Sequence, residues 1–292
     1  MSSGPRWDVE GRDWPNRAHS RFVVVGRMRW HVQVMGQGPV LLLLHGTGAA
    51  THSWRDLAPL LAAHFTVVAP DLPGHGFTTG RPVGGLSMAG MARAIGELLR
   101  SMSVEPDVMV GHSAGAAIAL RMAIDGAASP RKIVGVGAAL LPFPGLAAKL
   151  FPAMARMLFV NPLAPRLMAG LARRAGETGR FLVRCTGSHI EPDGVAFYER
   201  LLTNSKHVEG AITMMANWDL EALKRDLPRV RFPVLLVHGE NDAAIPLSAA
   251  KHASGLISGA TVMSLAGLGH LAHEERPSEV AEIIRRFAGE TE

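Results

Sequence analysis

Val108 to Leu120 reads VMVGHSAGAAIAL and sets one hydroxyl, Ser113, among residues kept small. The preceding PDVMV is short and apolar, as a buried parallel strand is. The following AGAAIALRMAI carries Ile118 and Met122 at helical spacing. Strand, sharp turn and helix make the setting in which a nucleophile stands exposed on a strained elbow. Gly111 and Gly115 would remove Cβ atoms that clash there, and Ala114 leaves a backbone N–H beside the hydroxyl. A plain turn with a helix-capping serine uses the same five residues; the strand before and the helix after favour the elbow.

Acyl transfer by a serine needs a base for the hydroxyl proton, a carboxylate to orient that base, and N–H donors for the oxyanion. HGEND offers two carboxylates, Glu240 and Asp242, and GLGHLAHEERP offers two imidazoles, His270 and His273. The spacing H-x-x-H-E is not a zinc-protease signature, so neither a metal nor another cofactor is expected. His45 and His112, beside glycine-rich loops, read as hydrogen-bonded scaffold. Asp71 in DLPGHG reads as an organiser of backbone N–H groups rather than a reacting group.

These residues need a frame that gathers them. RFVVV and MRWHVQVM read as two strands joined by a glycine turn, PVLLLLHG as a buried strand, and FTVVAPDLPGHG as a strand ending in a loop. GLSMAGMARAIGELLRSM has helical periodicity with Ser87 as cap. RKIVGVGAAL, FPVLLVHG and ATVMSLAGLGH are further strands, and PSEVAEIIRRF is a closing helix with Pro277 at its start. Strands alternating with helices predict an α/β fold, a mostly parallel sheet covered on both faces. Ligands then bind beyond the carboxyl ends of the strands, where HGTG, DLPGHG, HSAG, HGEND and GLGH all fall.

With those five motifs in that order, the sequence resembles the α/β-hydrolases over roughly Phe22 to Leu140 and Arg231 to Phe287. The resemblance implies an α/β-hydrolase fold and the chain order nucleophile, acid, histidine: Ser113, Asp242 and His270. It places the acid at the aspartate of HGEND, leaving Glu240 a solvated loop carboxylate. The oxyanion donors would be the N–H groups of Ala114 and of Thr47 in HGTG. A dehalogenase, which needs a carboxylate at position 113, is not expected; carbon–carbon bond hydrolysis uses the same triad and stays open. WPNRAHSRFVVVGRMRWHVQVMGQGP, HGTGAATHSWRDLAPLL and VVAPDLPGHGFT are further similar to the magnesium chelatase accessory family of bacteriochlorophyll biosynthesis. That likeness implies a pathway, possession of a tetrapyrrole or acyl-ester substrate, and magnesium chelatase subunits as partners. It also raises a non-catalytic alternative, binding and delivery of a tetrapyrrole.

The division expected is a polar extension over 1–21, a hydrolase core over 22–140 and 228–292, and a helical cap over 141–227. From Gly126 to Gly176 no Asp or Glu occurs, while Arg131, Lys132, Lys149, Arg156, Arg166, Arg173 and Arg174 contribute +7. This basic stretch fits three roles: a plain cover over the core, a contact with anionic lipid, or a pocket for a large ligand bearing carboxylates. In the pocket reading, Met154 and Met157 pack the ligand while Arg156, Arg166 and Arg173 meet its charge.

The 30 basic and 25 acidic residues give a net charge of +5, scattered without a basic stripe, which excludes a nucleic-acid reading. One cysteine, Cys185, excludes an internal disulfide and reads as a buried or inert thiol. The amino terminus has no apolar core of signal-peptide length, and no run of 18 apolar residues occurs. A cytoplasmic protein, peripheral at the inner membrane, is the expectation.

Overall fold

The computed structural model describes residues 4–142, 161 and 163–289. Eight strands form one sheet in the order β1-β2-β4-β3-β5-β6-β7-β8. They are β1 (Ser20–Val25), β2 (Met28–Met35), β3 (Val40–Leu44), β4 (Thr66–Pro70), β5 (Val108–His112), β6 (Lys132–Val136), β7 (Val234–Gly239) and β8 (Ala260–Leu265). The β1–β2 and β2–β4 pairs are antiparallel, and every pair from β4 to β8 is parallel. The central strands are apolar almost throughout because both faces are covered. Leu41 and Leu43 of β3 face the core built with α1 (Leu57–Ala62) and the closing helix Pro277–Ala288. Leu42 and Leu44 face the opposite core, built with α2 (Met88–Ser101) and α3 (Ala114–Ile124). Ser87 caps α2, its Oγ accepting from Gly90 N–H at 3.2 Å.

Between β6 and β7 the chain is helical among the described residues: α4 (Ala164–Ala172), α5 (Glu177–Thr186), α6 (Pro192–Leu202), α7 (Ser205–Ala216) and α8 (Leu220–Asp226). After β7 come α9 (Leu247–Leu256), the short α10 (Ala272–Glu275) and α11 (Pro277–Ala288). No helix among the described residues is long and apolar enough to cross a membrane.

Three sequence expectations change here. The amino-terminal stretch is polar in composition but packed: Trp14 is buried with Phe77 and Leu201, and its Nε1–H donates to Thr51 Oγ1 at 3.0 Å. Arg200 of α6 reaches back to Asp13, so this stretch also touches the inserted helices. Cys185 is exposed on α5 rather than buried, because α5 turns Leu182 inward and leaves Phe181, Val183 and Cys185 outward. Arg166 and Arg173 are exposed, and Arg173 donates to Thr203 O at 3.1 Å, so among the described residues neither lines a closed pocket. Met154, Arg156 and Met157 lie outside the described residues.

Candidate active site

Ser113 stands between β5 and α3 with φ 51° and ψ −117°, a backbone that residues other than glycine rarely adopt. Such strain costs on the order of 1–3 kcal/mol and persists only where neighbours over-determine it. Here Ser113 N–H donates to Val136 O at 2.9 Å, while its carbonyl accepts from Ala116 N–H at 3.1 Å and Ala139 N–H at 3.2 Å. Glycine is required on both sides. A Cβ on Gly111 would run into Ala116 N, and one on Gly115 into Leu44 O, so α3 lies directly against β3. The N–H of Ala114 is thereby left at the positive end of α3, among the groups a helix cannot pair internally.

Asp242 follows β7 and His270 follows β8. His270 Nδ1–H donates to Asp242 Oδ2 at 2.7 Å. Asp242 Oδ1 accepts from Ala244 N–H and Ile245 N–H, both at 2.8 Å, so the turn itself aims the carboxylate. His270 is therefore left with Nε2 as its basic atom. The ring lies beside the elbow: its Nδ1 is 2.9 Å from where a Cβ on Gly137 would be, one residue past the Val136 carbonyl that holds Ser113. Among the described residues Ser113 Oγ makes no hydrogen bond; contacts of this kind are commonly long before a substrate binds. Glu240 is exposed and accepts from Ser264 Oγ at 2.9 Å, away from His270.

The competing histidine is engaged elsewhere. Glu274 Oε1 accepts from Ser53 Oγ and Tyr198 OH, both at 2.6 Å, and its other oxygen pairs with Arg55. With its proton committed to Glu274, Ser53 Oγ accepts from His273 Nε2–H at 2.9 Å. Burial raises the pKa of the Glu274 carboxyl against the pull of Arg55. This cluster joins α10 to α6 and to the 3₁₀ turn Thr51–Trp54, so it fastens the inserted helices to the segment carrying His270.

Thr47 sits on the loop after β3. That loop abuts the elbow, since a Cβ on Gly46 would be 3.2 Å from Ser113 Cβ. His45 fixes the loop: Nδ1–H donates to Gly46 O at 2.8 Å and Nε2 accepts from Leu72 N–H at 2.9 Å. Thr47 Oγ1 points to Met214 Sδ at 3.5 Å, a weak acceptor that leaves the hydroxyl easily turned. Met214, on α7, is buried over this loop and was not singled out in the sequence, because one of 14 methionines carries no local signal. Asp71 does organise N–H groups: it accepts from Thr51 N–H and Phe77 N–H, each at 2.8 Å, and from His31 Nδ1–H at 2.8 Å. Burial alone would raise its pKa, but His31 and these donors hold the carboxyl well below the usual range. A cavity of about 440 Å³ opens between the 74–81 loop and α7, lined in part by Arg81, Lys206, His207 and Glu209; neither Ser113 nor His270 lines it.

Buried imidazoles surround the site. Burial pushes the pKa of His45, His112, His207 and His273 down, His207 to about 4 and His273 to about 3. All four are uncharged in the folded chain at neutral pH, whereas an unfolded chain protonates them near pH ~6.5. Between those values the unfolded state binds more protons, so stability rises with pH. The contribution is complete above about pH 6.5 and is lost as pH falls toward the folded values. The urea midpoint is expected to hold from pH 8 to 7 and to fall steadily from about 6.5 downward; a constant midpoint to pH 4 would contradict this.

A profile described as the alpha/beta hydrolase fold matches residues 39–277. The chain belongs to the α/β-hydrolase fold family. It is 40% identical over 264 residues to the "Magnesium-chelatase 30 kDa subunit" of Rhodobacter capsulatus, covering 90% of this chain and 92% of that one. Among solved structures, the epoxide hydrolase CorEH superposes with a TM-score of 0.79 at 24% identity, covering 92% of this chain and 97% of that one. A thermophilic esterase from Thermogutta terrifontis superposes at 0.73 with 21% identity, covering 92% and 97%. At these identities the solved structures speak to fold alone, and that fold is one of hydrolases.

Proposed function

We propose that the protein is a serine hydrolase of an ester, thioester or activated amide, acting at the magnesium-insertion stage of bacteriochlorophyll biosynthesis. The observation that carries the chemistry is the 2.7 Å bond from His270 Nδ1–H to Asp242 beside a serine held at φ 51°. Ser113 Oγ attacks the substrate carbonyl and gives its proton to His270 Nε2. The N–H groups of Ala114 and Thr47 hold the oxyanion. His270 returns the proton to the leaving group, producing an acyl-Ser113 ester. Water then attacks, delivering one proton to Nε2, and the acid departs as Ser113 recovers its hydroxyl. No cofactor takes part in this sequence.

The pathway rests on the 40% identity to the Rhodobacter capsulatus protein, whose name places it with magnesium chelatase. Chelatase subunits are accordingly the proposed partners, and a tetrapyrrole or an acyl ester the proposed substrate. The second reading, a tetrapyrrole-binding module, has the same motivation but leaves the Asp242–His270 arrangement without use. Complementation decides between them. A purple bacterium lacking this function should fail to recover bacteriochlorophyll with a stably folded Ser113→Ala gene. Full recovery would favour the binder.

We further propose that the inserted segment, residues 141–227, acts as the cap of this site and that the outer face of its described helices meets anionic lipid. Leu163, Leu167 and Leu171 are 63%, 66% and 44% exposed, and Phe181 is 41% exposed. Arg166, Arg173, Arg174 and Arg184 are exposed on the same two helices and the turn between them. Each basic group near an anionic surface contributes about 1 kcal/mol, and salt screens it beyond about 8 Å. The protein is expected to sediment with anionic vesicles at low salt, to be released at high salt, and to ignore neutral vesicles. Equal recovery in every supernatant would return this face to solvent.

A further inference from the structure

The N–H groups of Gly269, His270 and Leu271 are consecutive and all three are held, each by a different acceptor at 2.8 Å. Gly269 N–H donates to Glu275 Oε2, His270 N–H to Thr186 O, and Leu271 N–H to Ser188 Oγ. Two of the three acceptors belong to the segment leaving α5, more than 80 residues earlier in the chain. The same Thr186 carbonyl also accepts from Ala243 N–H at 3.3 Å, next to Asp242. One short segment therefore touches both loops whose side chains form the 2.7 Å pair.

Its construction is specific. Gly187 ends α5 in the left-handed conformation, φ 68°, with its N–H donating to Val183 O at 2.9 Å. A Cβ on Gly187 would run into Asn241 O, and one on Gly269 into Ser188 Oγ, so glycine on each chain lets the two cross at contact distance. The Thr186 hydroxyl ties the turn, donating to Leu182 O at 2.6 Å and accepting from Ser188 N–H at 3.1 Å. Ser188 is 1% exposed. Its hydroxyl proton goes to Glu275 Oε2 at 2.8 Å, which turns the oxygen lone pairs toward Leu271 N–H. Glu275 completes the ring by accepting from His189 N–H at 3.0 Å and Gly269 N–H. Three of these bonds end on the consecutive N–H groups of residues 269 to 271, one of them on that of His270 itself.

We propose that Thr186–Ser188 is a clamp that sets the position of His270 against Asp242, with Ser188 as its positioning residue. The inserted helices are then part of the catalytic frame as well as its cover. This proposal rests on the catalytic reading of His270. Misplacement of a reacting group by about 1 Å can cost on the order of 100-fold in rate, and loss of the Ser188 hydroxyl frees the Leu271 N–H that immediately follows the histidine.

The test compares wild type, Ser188→Ala and Glu275→Gln for hydrolysis of a chromogenic acyl ester, for the rate of fluorophosphonate labelling at Ser113, and for thermal midpoint. Ser188→Ala is expected to lower kcat and the labelling rate together, by roughly 10- to 100-fold, with KM changed less than about threefold and the protein folded at the assay temperature. Glu275→Gln, which keeps an acceptor for Gly269 N–H, is expected to move both rates in the same direction by less. Wild-type labelling rates in folded Ser188→Ala would overturn the clamp, as would a loss that merely tracks the unfolded fraction. Absence of labelling at Ser113 in the wild type would instead overturn the catalytic reading, and the clamp with it.

Discussion

Ser113→Ala is expected to lower kcat for an acyl ester by on the order of 10⁶-fold. The size follows from what is lost. In the proposed mechanism, removing Oγ removes the acyl intermediate and the proton that His270 takes, so only the oxyanion donors and substrate binding would remain. Stability should change little, because Ser113 Oγ makes no hydrogen bond among the described residues and alanine fits the space. The strained φ of 51° is fixed by backbone bonds to Val136, Ala116 and Ala139, which alanine keeps. Far-ultraviolet circular dichroism and the urea midpoint establish folding, and stopped assays with concentrated enzyme read the residual rate. Retention of more than about a tenth of the wild-type rate would mean that another group is the nucleophile.

Asp242→Asn is expected to cost about 10⁴-fold in kcat. Asparagine can keep its carbonyl oxygen on Ala244 and Ile245 N–H, the two 2.8 Å bonds that shape the turn, so the loop survives. Its NH₂ group then faces His270 Nδ1 where a carboxylate oxygen accepted at 2.7 Å. Two donors cannot face each other, so the imidazole moves its proton to Nε2 and loses the lone pair that takes the serine proton. Glu240→Gln serves as the contrast and should leave kcat within about twofold, since Glu240 is exposed and its carboxylate accepts from Ser264 Oγ, away from His270. A similar loss in both variants would show that HGEND matters for folding rather than for orienting His270.

The sheet was legible because its signals are local. Short apolar runs closed by glycine loops locate all eight strands, and Ser87 and Pro277 mark the starts of two helices by capping chemistry alone. The sterics of GHSAG are local for the same reason: between a strand and a helix, a Cβ at Gly111 would meet Ala116 N and one at Gly115 would meet Leu44 O. The choice of Asp242 over Glu240 was not local. Only family order made it; the feature that sets Asp242 apart in the structure, two N–H groups aiming its carboxylate, depends on how the turn folds. Likewise the preference for His270 over His273 came from the GLGH loop and family order, while the contact that occupies His273, Ser53 Oγ, comes from 220 residues away in sequence.

The inserted helices were the least legible. Met214 over Thr47, Tyr198 on Glu274 and Ser188 beside Leu271 are contacts across long stretches of chain, made by residue types with no periodic or motif signal. Charge drew attention to Arg166 and Arg173 instead, and both front solvent. The amino-terminal stretch misled in the opposite sense. Its many polar residues hide Trp7 and Trp14, whose rings pack edge-on against Phe77 with centroids 4.9 and 4.8 Å apart.

The most direct test of a Ser113 nucleophile is the site of covalent capture by a fluorophosphonate, mapped by mass spectrometry on the intact wild-type protein. A single adduct on Ser113 is expected, absent from Ser113→Ala and slowed in Asp242→Asn in step with its kcat. No adduct on the folded wild type, or an adduct on another residue that persists in Ser113→Ala, would contradict it.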